Sequence, residues 1–176
     1  GGGITNLEQI HKLLAIGYEK VVINSGLINH PDVVKEAIAK YGSQSIVASI
    51  DAKKVGSGYQ CAICDGQMLQ KKTPLELAQE AEQMGCGEII INSIDNDGKM
   101  QGYDLELVKT ITDAVKVPVI AIGGAGGIGD LKKVIQEAGA HAAAGGSMFV
   151  YYGRLKAVLI TAPSEKELTE AGIYTE

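Results

Sequence analysis

The sequence predicts an α/β protein of the (β/α)8 TIM-barrel type, in which parallel strands alternate with helices. Five segments are near-continuously apolar, as strands buried on both faces are. Segments with apolar residues three and four positions apart separate them, and the connections are short. This alternation also fits a doubly wound open sheet. The barrel is favoured because Asn24, Asp51 and Asp95 stand at C-terminal ends of strands, where a barrel collects its active site.

The predicted elements follow one another in a regular order. Strands are expected at residues 20–25, 45–51, 88–95, 117–124 and 140–147. Helices are expected at residues 6–15, 31–41, 74–84, 105–115 and 131–138, with a shorter one from Ser164. Thr5 and Asn6 can cap the first helix. The stretch GYQCAICDGQMLQ predicts a hairpin that turns at Asp65 and Gly66.

Composition and charge limit the possible classes of protein. The 176 residues are 45% hydrophobic and 21% charged, so we expect residues 1–176 to form a single domain. No apolar run approaches the roughly 20 residues that span a bilayer, and no signal-peptide pattern is found. We therefore expect a cytoplasmic protein without a membrane partner. The net charge of −5 argues against a nucleic-acid partner, because such surfaces cluster Lys and Arg.

The cysteines and acidic residues do not form a metal-site pattern. Cys61 and Cys64 make one C-x-x-C pair, but a closed zinc site needs four ligands, and residues three apart on a strand face opposite sides. Cys86, between glycines at a helix end, is interpreted as a packing residue. The stretch DNDG resembles the start of a calcium loop, yet the later acidic ligands are missing at the required spacing. We expect neither a metal nor another cofactor.

A two-strand unit occurs twice. Gly3 precedes residues 24–25 by 21 positions, and Gly124 precedes residues 146–147 by 22 positions. Each unit joins a glycine turn to a small or polar strand end, which can hold a phosphate with main-chain N–H groups and a hydroxyl. The alternative is two tight turns without a ligand, since glycine often serves backbone geometry alone.

The repeated unit also predicts the length of the complete barrel. Asp51 precedes the second glycine cluster by 72 positions. An equal lead-in before the first cluster would bring the total to the roughly 250 residues typical of this barrel. We therefore expect the chain to be N-terminally incomplete and to lack about the first two to three barrel strands.

Five stretches resemble one family: GGGI, KVVINSG, GSQSIVASIDAKKV, GCGEIIINSIDNDGKMQGYDLELVK and VPVIAIGGAG. They resemble the cyclase subunit of imidazole glycerol phosphate synthase, a half-barrel-repeat TIM barrel of histidine biosynthesis, over nearly the whole chain to about residue 149. The resemblance implies a lyase-type cyclisation, in which ammonia from a glutaminase subunit meets a bisphosphorylated ribulosyl aminoimidazole carboxamide substrate. The products would be imidazole glycerol phosphate and an aminoimidazole carboxamide ribotide.

The resemblance assigns one phosphate to each repeated unit. The first phosphate site would consist of Gly3, Asn24 and Ser25. The second phosphate site would consist of Asp97, Gly98, Gly124, Gly146 and Ser147. Because a carboxylate repels phosphate, we expect Asp97 to orient its loop or to contact the ligand through its main chain.

Asp51 is the predicted catalytic residue. A carboxylate at the end of the apolar stretch SIVASID has to be hydrogen-bonded or functional. The resemblance makes Asp51 one of two general acid/base aspartates and places the other on a first strand that would precede Gly1. The alternative is a strand-end ion pair with Lys53 or Lys54.

Charged residues also mark the N-terminal ends of strands. Lys20 and Glu88 each start a predicted strand. The resemblance implies a charged ring there that gates ammonia, with Glu19 facing the glutaminase. An ordinary ion pair explains Lys20 and Glu88 equally well.

The segment 149–163 departs from the histidine-pathway pattern. It contains the apolar and basic stretch VYYGRLKAVLITAP. This resembles a paralogous branch associated with surface-polysaccharide biosynthesis, which implies that the chain could supply ammonia to a sugar amidotransferase. Two further readings stay open: a phosphosugar isomerase, which needs only one phosphate site, and a non-catalytic phosphate-binding barrel fragment, whose unpaired strands would promote self-association.

Overall fold

A computed structural model describes residues 2–153 and 155–174 of the chain. The strands are β1 Val21–Ile23, β2 Ile46–Val55, β3 Gly58–Ile63, β4 Met68–Leu69, β5 Glu88–Ser93, β6 Val119–Ile122, β7 Ala142–Ala143, β8 Tyr151–Tyr152 and β9 Ala157–Val158. The helices are α1 Leu7–Ala15, α2 Ser25–Asn29, α3 Pro31–Tyr41, α4 Pro74–Met84, α5 Leu105–Thr112, α6 Ile128–Gln136, α7 Ser147–Val150 and α8 Glu165–Glu170.

Five parallel strands form the body of the main sheet. They pair in chain order, β1 with β2, β2 with β5, β5 with β6, and β6 with β7. A doubly wound sheet would reverse its strand order at a switch point, whereas a barrel adds each strand beside the previous one. The predicted α/β fold of the TIM-barrel type is therefore confirmed. Among the described residues β1 and β7 do not pair, and the sheet is open.

An antiparallel hairpin lengthens one strand beyond its predicted end. The predicted strand 45–51 continues to Val55, because β3 pairs with its extension from Asp51 opposite Ala62 to Val55 opposite Gly58. Asp51 therefore lies within β2, near the end of its parallel pairing with β5, and not at the end of the strand. The predicted turn between β3 and β4 is confirmed.

The core lies between the parallel strands and the helices that cover them. Its largest fully buried side chains include Ile46 and Ile50 of β2, Ile89 and Ile91 of β5, and Ile111 of α5. Each such side chain contributes about 1.5–3 kcal/mol when it leaves water. This packing fixes the directions of the strands and thereby the positions of the polar groups at their C-terminal ends.

Helix boundaries follow local capping. Asn6 accepts a hydrogen bond from Gln9 N–H, and Gln9 Oε1 accepts one from Asn6 N–H, so the predicted cap of α1 is confirmed. Ser164 caps α8 in the same way. Helix α6 begins at Ile128, three residues before the predicted start, and Asp130 accepts a hydrogen bond from Gly126 N–H.

The last predicted strand is shorter than expected. Residues 140–147 form only the two-residue strand β7, and Ser147 begins α7. Alanine and glycine offer few side-chain contacts to hold an extended strand. In the segment 149–163, strands β8 and β9 pair with each other, and residue 154 lies outside the described residues. Within the described part of the chain, no helix is long and apolar enough to cross a membrane.

Candidate functional site

A cavity of about 420 Å³ opens at the C-terminal end of β1, beside Asp51 of β2. Gly3, Asn24 and Ser25 of the predicted first phosphate site line it together with Asp51. Strand β1 ends at Ile23, so Asn24 and Ser25 turn from the sheet into α2. The fold thus brings residues that are 48 positions apart in sequence to one cavity.

Hydrogen bonds orient the side chains of the first phosphate site. Asn24 Nδ2 donates to the Ser49 carbonyl over 2.9 Å. Ser25 Oγ donates to Asn24 Oδ1 over 3.3 Å and accepts from Cys64 N–H over 3.4 Å. Gly26 allows the close approach of this turn to the first glycine turn, because a Cβ there would lie 3.3 Å from the Ile4 carbonyl oxygen and 2.7 Å from Ile23 Cγ2.

Asp51 is hydrogen-bonded to the neighbouring parallel strand. Asn92 Nδ2 donates to Asp51 Oδ1 over 2.9 Å, and the two residues are register partners. Burial raises the pKa of Asp51 above its usual value, the Asn92 hydrogen bond opposes this, and the carboxylates of Asp65 and Asp97 raise it further. The result is a raised pKa, which brings the carboxyl closer to exchanging protons near neutral pH.

Lys53 and Lys54 were considered above as possible ion-pair partners of Asp51. Lys54 Nζ lies 5.6 Å from the centre of the Tyr59 ring, and the main-chain N–H of Lys54 donates to Asp95 Oδ2 over 2.7 Å. Within residues 2–153 and 155–174, neither Lys53 nor Lys54 forms an ion pair with Asp51. The strand-end ion pair is therefore not what holds this carboxylate.

Contacts connect only some of the residues of the predicted second phosphate site. A Cβ built on Gly98 would lie 4.0 Å from Ser147 Oγ, so these two residues are neighbours. Gly124 packs tightly against the loop after β5, since a Cβ on it would come within 2.2 Å of the Gly102 carbonyl oxygen. Gly146 stands directly before α7.

The main-chain N–H of Asp97 forms a hydrogen bond within the protein. It donates to the Ser93 carbonyl over 3.0 Å. That N–H group is therefore occupied within the protein, while the Asp97 carboxylate contributes to the raised pKa of Asp51. The contacts favour the first of the two expected roles, orientation of the loop.

Lys20 and Glu88 meet at the opposite, N-terminal edge of the sheet. Lys20 directly precedes β1, Glu88 begins β5, and the two side chains form an ion pair across the start of β2. Glu19 beside them is exposed. Lys20 and Glu88 lie at the N-terminal edge as predicted, and the ion pair considered as the alternative is present. A gating role of this pair and a contact of Glu19 with a glutaminase stay predictions.

Cys64 lies outside the strand predicted for it from the sequence, because β3 ends at Ile63. Cys61 lies in β3 and is buried, whereas Cys64 lies in the turn after β3 and is exposed. Burial raises the pKa of Cys61 to about 12, and Cys86 is buried in the core as predicted. Among the described residues, no group of three or more His, Cys, Asp or Glu side chains could hold a metal ion.

Two residues that act on Asp51 were not predicted from the sequence. The pairing of Asn92 with Asp51 follows from the register of β2 and β5. The stretches SIVASID and EIIINSID contain these two residues near their ends, and aligning the two ends would have indicated the pair. Asp65 lies in the turn between β3 and β4, where Cys64 and Asp65 both have positive φ angles, 54° and 56°. This turn carries the Asp65 carboxylate to the cavity that Asp51 lines.

Comparison with known proteins identifies similar sequences over most of the chain. The family described as "Histidine biosynthesis protein" matches residues 1–156. Two relatives have names beginning "Putative imidazole glycerol phosphate synthase subunit": hisF3 of Vibrio vulnificus is 40% identical over 97% of this chain, and hisF2 of Pseudomonas aeruginosa is 43% identical over 96%. "Imidazole glycerol phosphate synthase subunit HisF" of Metallosphaera sedula is 42% identical over 85% of the chain.

The similarity covers only part of each relative. The chain spans 66% of the Vibrio protein, 67% of the Pseudomonas protein and 59% of the Metallosphaera protein.

Proposed function

We propose that this chain, which belongs to the histidine biosynthesis protein family, acts as a cyclase-type lyase of the imidazole glycerol phosphate synthase kind. Its substrate would be the bisphosphorylated ribulosyl aminoimidazole carboxamide, and ammonia would be the second reactant. The observation that carries the proposal is the cavity in which Asp51 lies beside Gly3, Asn24 and Ser25. It combines a candidate acid/base group with candidate phosphate ligands at one edge of the sheet.

Each end of the substrate would have its own phosphate site. Gly3, Asn24 and Ser25 would hold one phosphate with main-chain and side-chain donors, and Asp97, Gly98, Gly124, Gly146 and Ser147 would surround the other. The proximity of Gly98 and Ser147 supports the second site. Two phosphate sites favour a substrate with two phosphate groups. A simple phosphosugar isomerase would need only one phosphate site.

Asp51 would move protons during ring closure and release of the carboxamide ribotide. Burial raises the pKa of Asp51 above its usual value, which makes this carboxylate a better proton acceptor than an exposed one. The resemblance implies a second acid/base aspartate on another strand, and no aspartate of this chain is assigned that role.

Ammonia would enter from the N-terminal edge of the sheet. A glutaminase subunit would dock there beside Glu19, and the Lys20–Glu88 ion pair would control passage toward Asp51. The location of the pair at the edge opposite the cavity supports this arrangement. We place the reaction in the cytoplasm, a setting supported by the free thiols of Cys61, Cys64 and Cys86.

Phosphate binding can be tested without turnover. Titration calorimetry with inorganic phosphate and with ribose 5-phosphate should show binding to the chain, and Ser25→Ala should weaken it about 3- to 10-fold, as expected for one lost hydrogen bond. Ser57→Ala, which changes an exposed serine between β2 and β3, is the matched control. Equal affinities of the Ser25 and Ser57 variants would remove Ser25 from the site.

Turnover is tested with ammonium salts, the bisphosphorylated substrate and the chain. Product formation that depends on Asp51 supports the cyclase proposal. Phosphate binding without product would favour the non-catalytic phosphate-binding barrel fragment in its place.

A second candidate function rests on the resemblance of the segment 149–163 to a paralogous branch associated with surface-polysaccharide biosynthesis. The alignments with the Vibrio and Pseudomonas relatives extend over 173 and 169 residues, against 149 for the Metallosphaera protein. The longest therefore includes nearly all of the segment 149–163. A chain of this branch would supply ammonia to a sugar amidotransferase in surface-polysaccharide biosynthesis, with the same cyclisation chemistry at Asp51.

Growth complementation separates the two pathways. The natural gene and its own glutaminase are expressed in a histidine auxotroph that lacks the cyclase. Robust growth supports the histidine pathway, whereas substrate turnover in vitro without growth supports the sugar pathway.

A further inference from the structure

We propose that Asn92 is a positioning residue that holds Asp51 in its ionised form and orients it as the base of the reaction. This inference deepens the proposed function at the same site and rests on it for the identity of the reaction. Its structural part, the effect of Asn92 on the Asp51 carboxylate, can be measured without substrate.

The first argument is the register of the sheet. Asp51 and Asn92 are direct partners in the parallel pairing of β2 with β5, and Asn92 Nδ2 donates to Asp51 Oδ1 over 2.9 Å. Both residues sit on central strands whose neighbours, Ile50 and Ile91, are fully buried. The paired backbones of β2 and β5 therefore hold these two side chains next to each other.

The second argument is the space around the Asn92 side chain. A Cβ built on Gly123 would lie 2.7 Å from Asn92 Oδ1 and 2.6 Å from the Ser93 carbonyl oxygen. Gly123 has a φ angle of +91°, so it also needs the conformational freedom of glycine. The absence of a side chain at Gly123 leaves room for the Asn92 carboxamide beside Asp51.

The third argument is the orientation of the carboxamide. Asn92 Oδ1 is buried and has no hydrogen-bond partner among the described residues. Turning the amide over would bring this oxygen toward Asp51 Oδ1, and two acceptor oxygens repel each other when the carboxyl is ionised. The observed orientation therefore matches an ionised Asp51, and leaving one buried oxygen unpaired is the consequence.

The surrounding charges explain why such a donor is needed. Asp65, on the turn between β3 and β4, and Asp97, on the loop after β5, both act on Asp51 and oppose its ionisation, as burial does. Cys61 of β3 also lies within electrostatic range of Asp51, and burial keeps its thiol protonated. The Asn92 N–H is the contribution that favours the carboxylate.

The hydrogen bond leaves one carboxylate oxygen for chemistry. Oδ1 accepts from Asn92, and no hydrogen bond to Oδ2 is recorded within the described residues. As a base, Asp51 would accept a proton from an N–H or O–H group of the substrate at Oδ2. The electron pair of that bond would stay on the substrate, and the Asn92 hydrogen bond would weaken as the carboxyl becomes neutral.

The test is a pH titration of carboxyl carbon signals by NMR on the chain without ligand. Asn92→Leu, which keeps the side-chain size but removes the donor, should raise the pKa of Asp51 by about one unit, because a hydrogen bond to the charged form is lost. Asn29→Ala is the matched control, since Asn29 is exposed and lines the same cavity. An unchanged or lowered pKa in Asn92→Leu overturns the proposal.

A second measurement uses the unaltered protein, so it does not depend on folding of the variant. The side-chain amide signals of Asn92 should shift with pH at the pKa of Asp51, and this inflection should disappear in Asp51→Asn. Amide signals without the inflection also overturn the proposal. Both results are independent of phosphate binding, so failure of the proposed function remains distinguishable.

If the chain turns over substrate, kinetics add a third readout. Asn92→Leu should move the acidic limb of the pH–kcat profile upward by the same shift, with KM nearly unchanged. A purely structural role would instead lower activity equally at every pH.

Discussion

Tyr59 and Asp104 connect the inserted hairpin to the start of a helix. Tyr59 Oη lies 2.9 Å from each carboxylate oxygen of Asp104, and Asp104 Oδ1 also accepts from Leu107 N–H as the cap of α5. One carboxylate thus holds β3 and α5 together. Since β3 leads into the turn that carries Cys64 and Asp65, this contact helps to place that turn over the cavity.

Removal of the Tyr59 hydroxyl should loosen this connection. We expect Tyr59→Phe to lower the free energy of unfolding by about 1 kcal/mol, because a partly exposed hydrogen bond to a carboxylate is lost. Hydrogen exchange of the amides in β3 and β4 should accelerate more than that in β6. Equal acceleration in all strands would argue against a local role of the contact.

The same contact predicts a dependence of stability on alkaline pH. Burial, followed by the hydrogen bond to Asp104, raises the pKa of Tyr59. The raised pKa favours the neutral phenol in the folded state, so its contribution is complete below about pH 10 and is lost as pH rises above that value. Urea unfolding from pH 8 to 11 should show a steeper loss for the wild type than for Tyr59→Phe.

Asp51→Asn should separate chemistry from binding and stability. Turnover should fall about 10²- to 10⁴-fold, because an acid/base group is lost, while the affinity for inorganic phosphate should stay nearly unchanged. The raised pKa means that ionised Asp51 destabilises the fold as pH rises through its folded-state value. Asp51→Asn should therefore raise Tm at neutral pH, and the difference should vanish below about pH 4. A variant with retained turnover would refute the catalytic role.

The parallel architecture could be predicted because its signals are local. Runs such as the apolar start of EIIINSID specify a buried strand, and Asn6 with Gln9 specifies a helix start. The extension of β2 to Val55 could not be predicted from its own polar residues, because the pairing with β3 holds it. Strand β7 is shorter than the predicted strand at 140–147. The alanines and glycines of this segment have the spacing of a strand but make few contacts that would stabilise it.

The candidate site was predictable only as a set of strand ends. Asn24, Ser25 and Asp51 could be assigned to one edge because parallel strands align their C-terminal ends. The hydrogen bond between Asp51 and Asn92 depends on register, and the entry of Asp65 into the cavity depends on a turn with positive φ angles. Neither feature follows from the chain order of the elements.

Gly124, at the second phosphate site, and Gly129, in helix α6, should differ in their tolerance of substitution. Replacement by alanine should lower the stability of the protein at Gly124 and raise it at Gly129. Gly124→Ala should destabilise the protein by about 2 kcal/mol or more, because the new Cβ would meet the Gly102 carbonyl oxygen at 2.2 Å and the φ angle is +116°. Gly129→Ala, inside α6 with open space around the new Cβ, should stabilise it by up to about 1 kcal/mol. Chemical denaturation measures both. A neutral Gly124→Ala would contradict the close packing of this loop.

The last prediction concerns the Lys20–Glu88 ion pair, because its proposed role differs from that of an ordinary surface pair. Lys20→Ala should reduce glutamine-dependent turnover, measured with the glutaminase subunit, more than turnover with free ammonium. Lys72→Ala is a matched control: Lys72 pairs with Glu80, and the side chains of Lys20 and Lys72 are both 43% exposed. Both variants should change the free energy of unfolding by less than about 1 kcal/mol, since partly exposed pairs contribute little. If the two variants reduce glutamine-dependent and ammonium-dependent turnover in the same ratio, Lys20 has no gating role and the pair is structural.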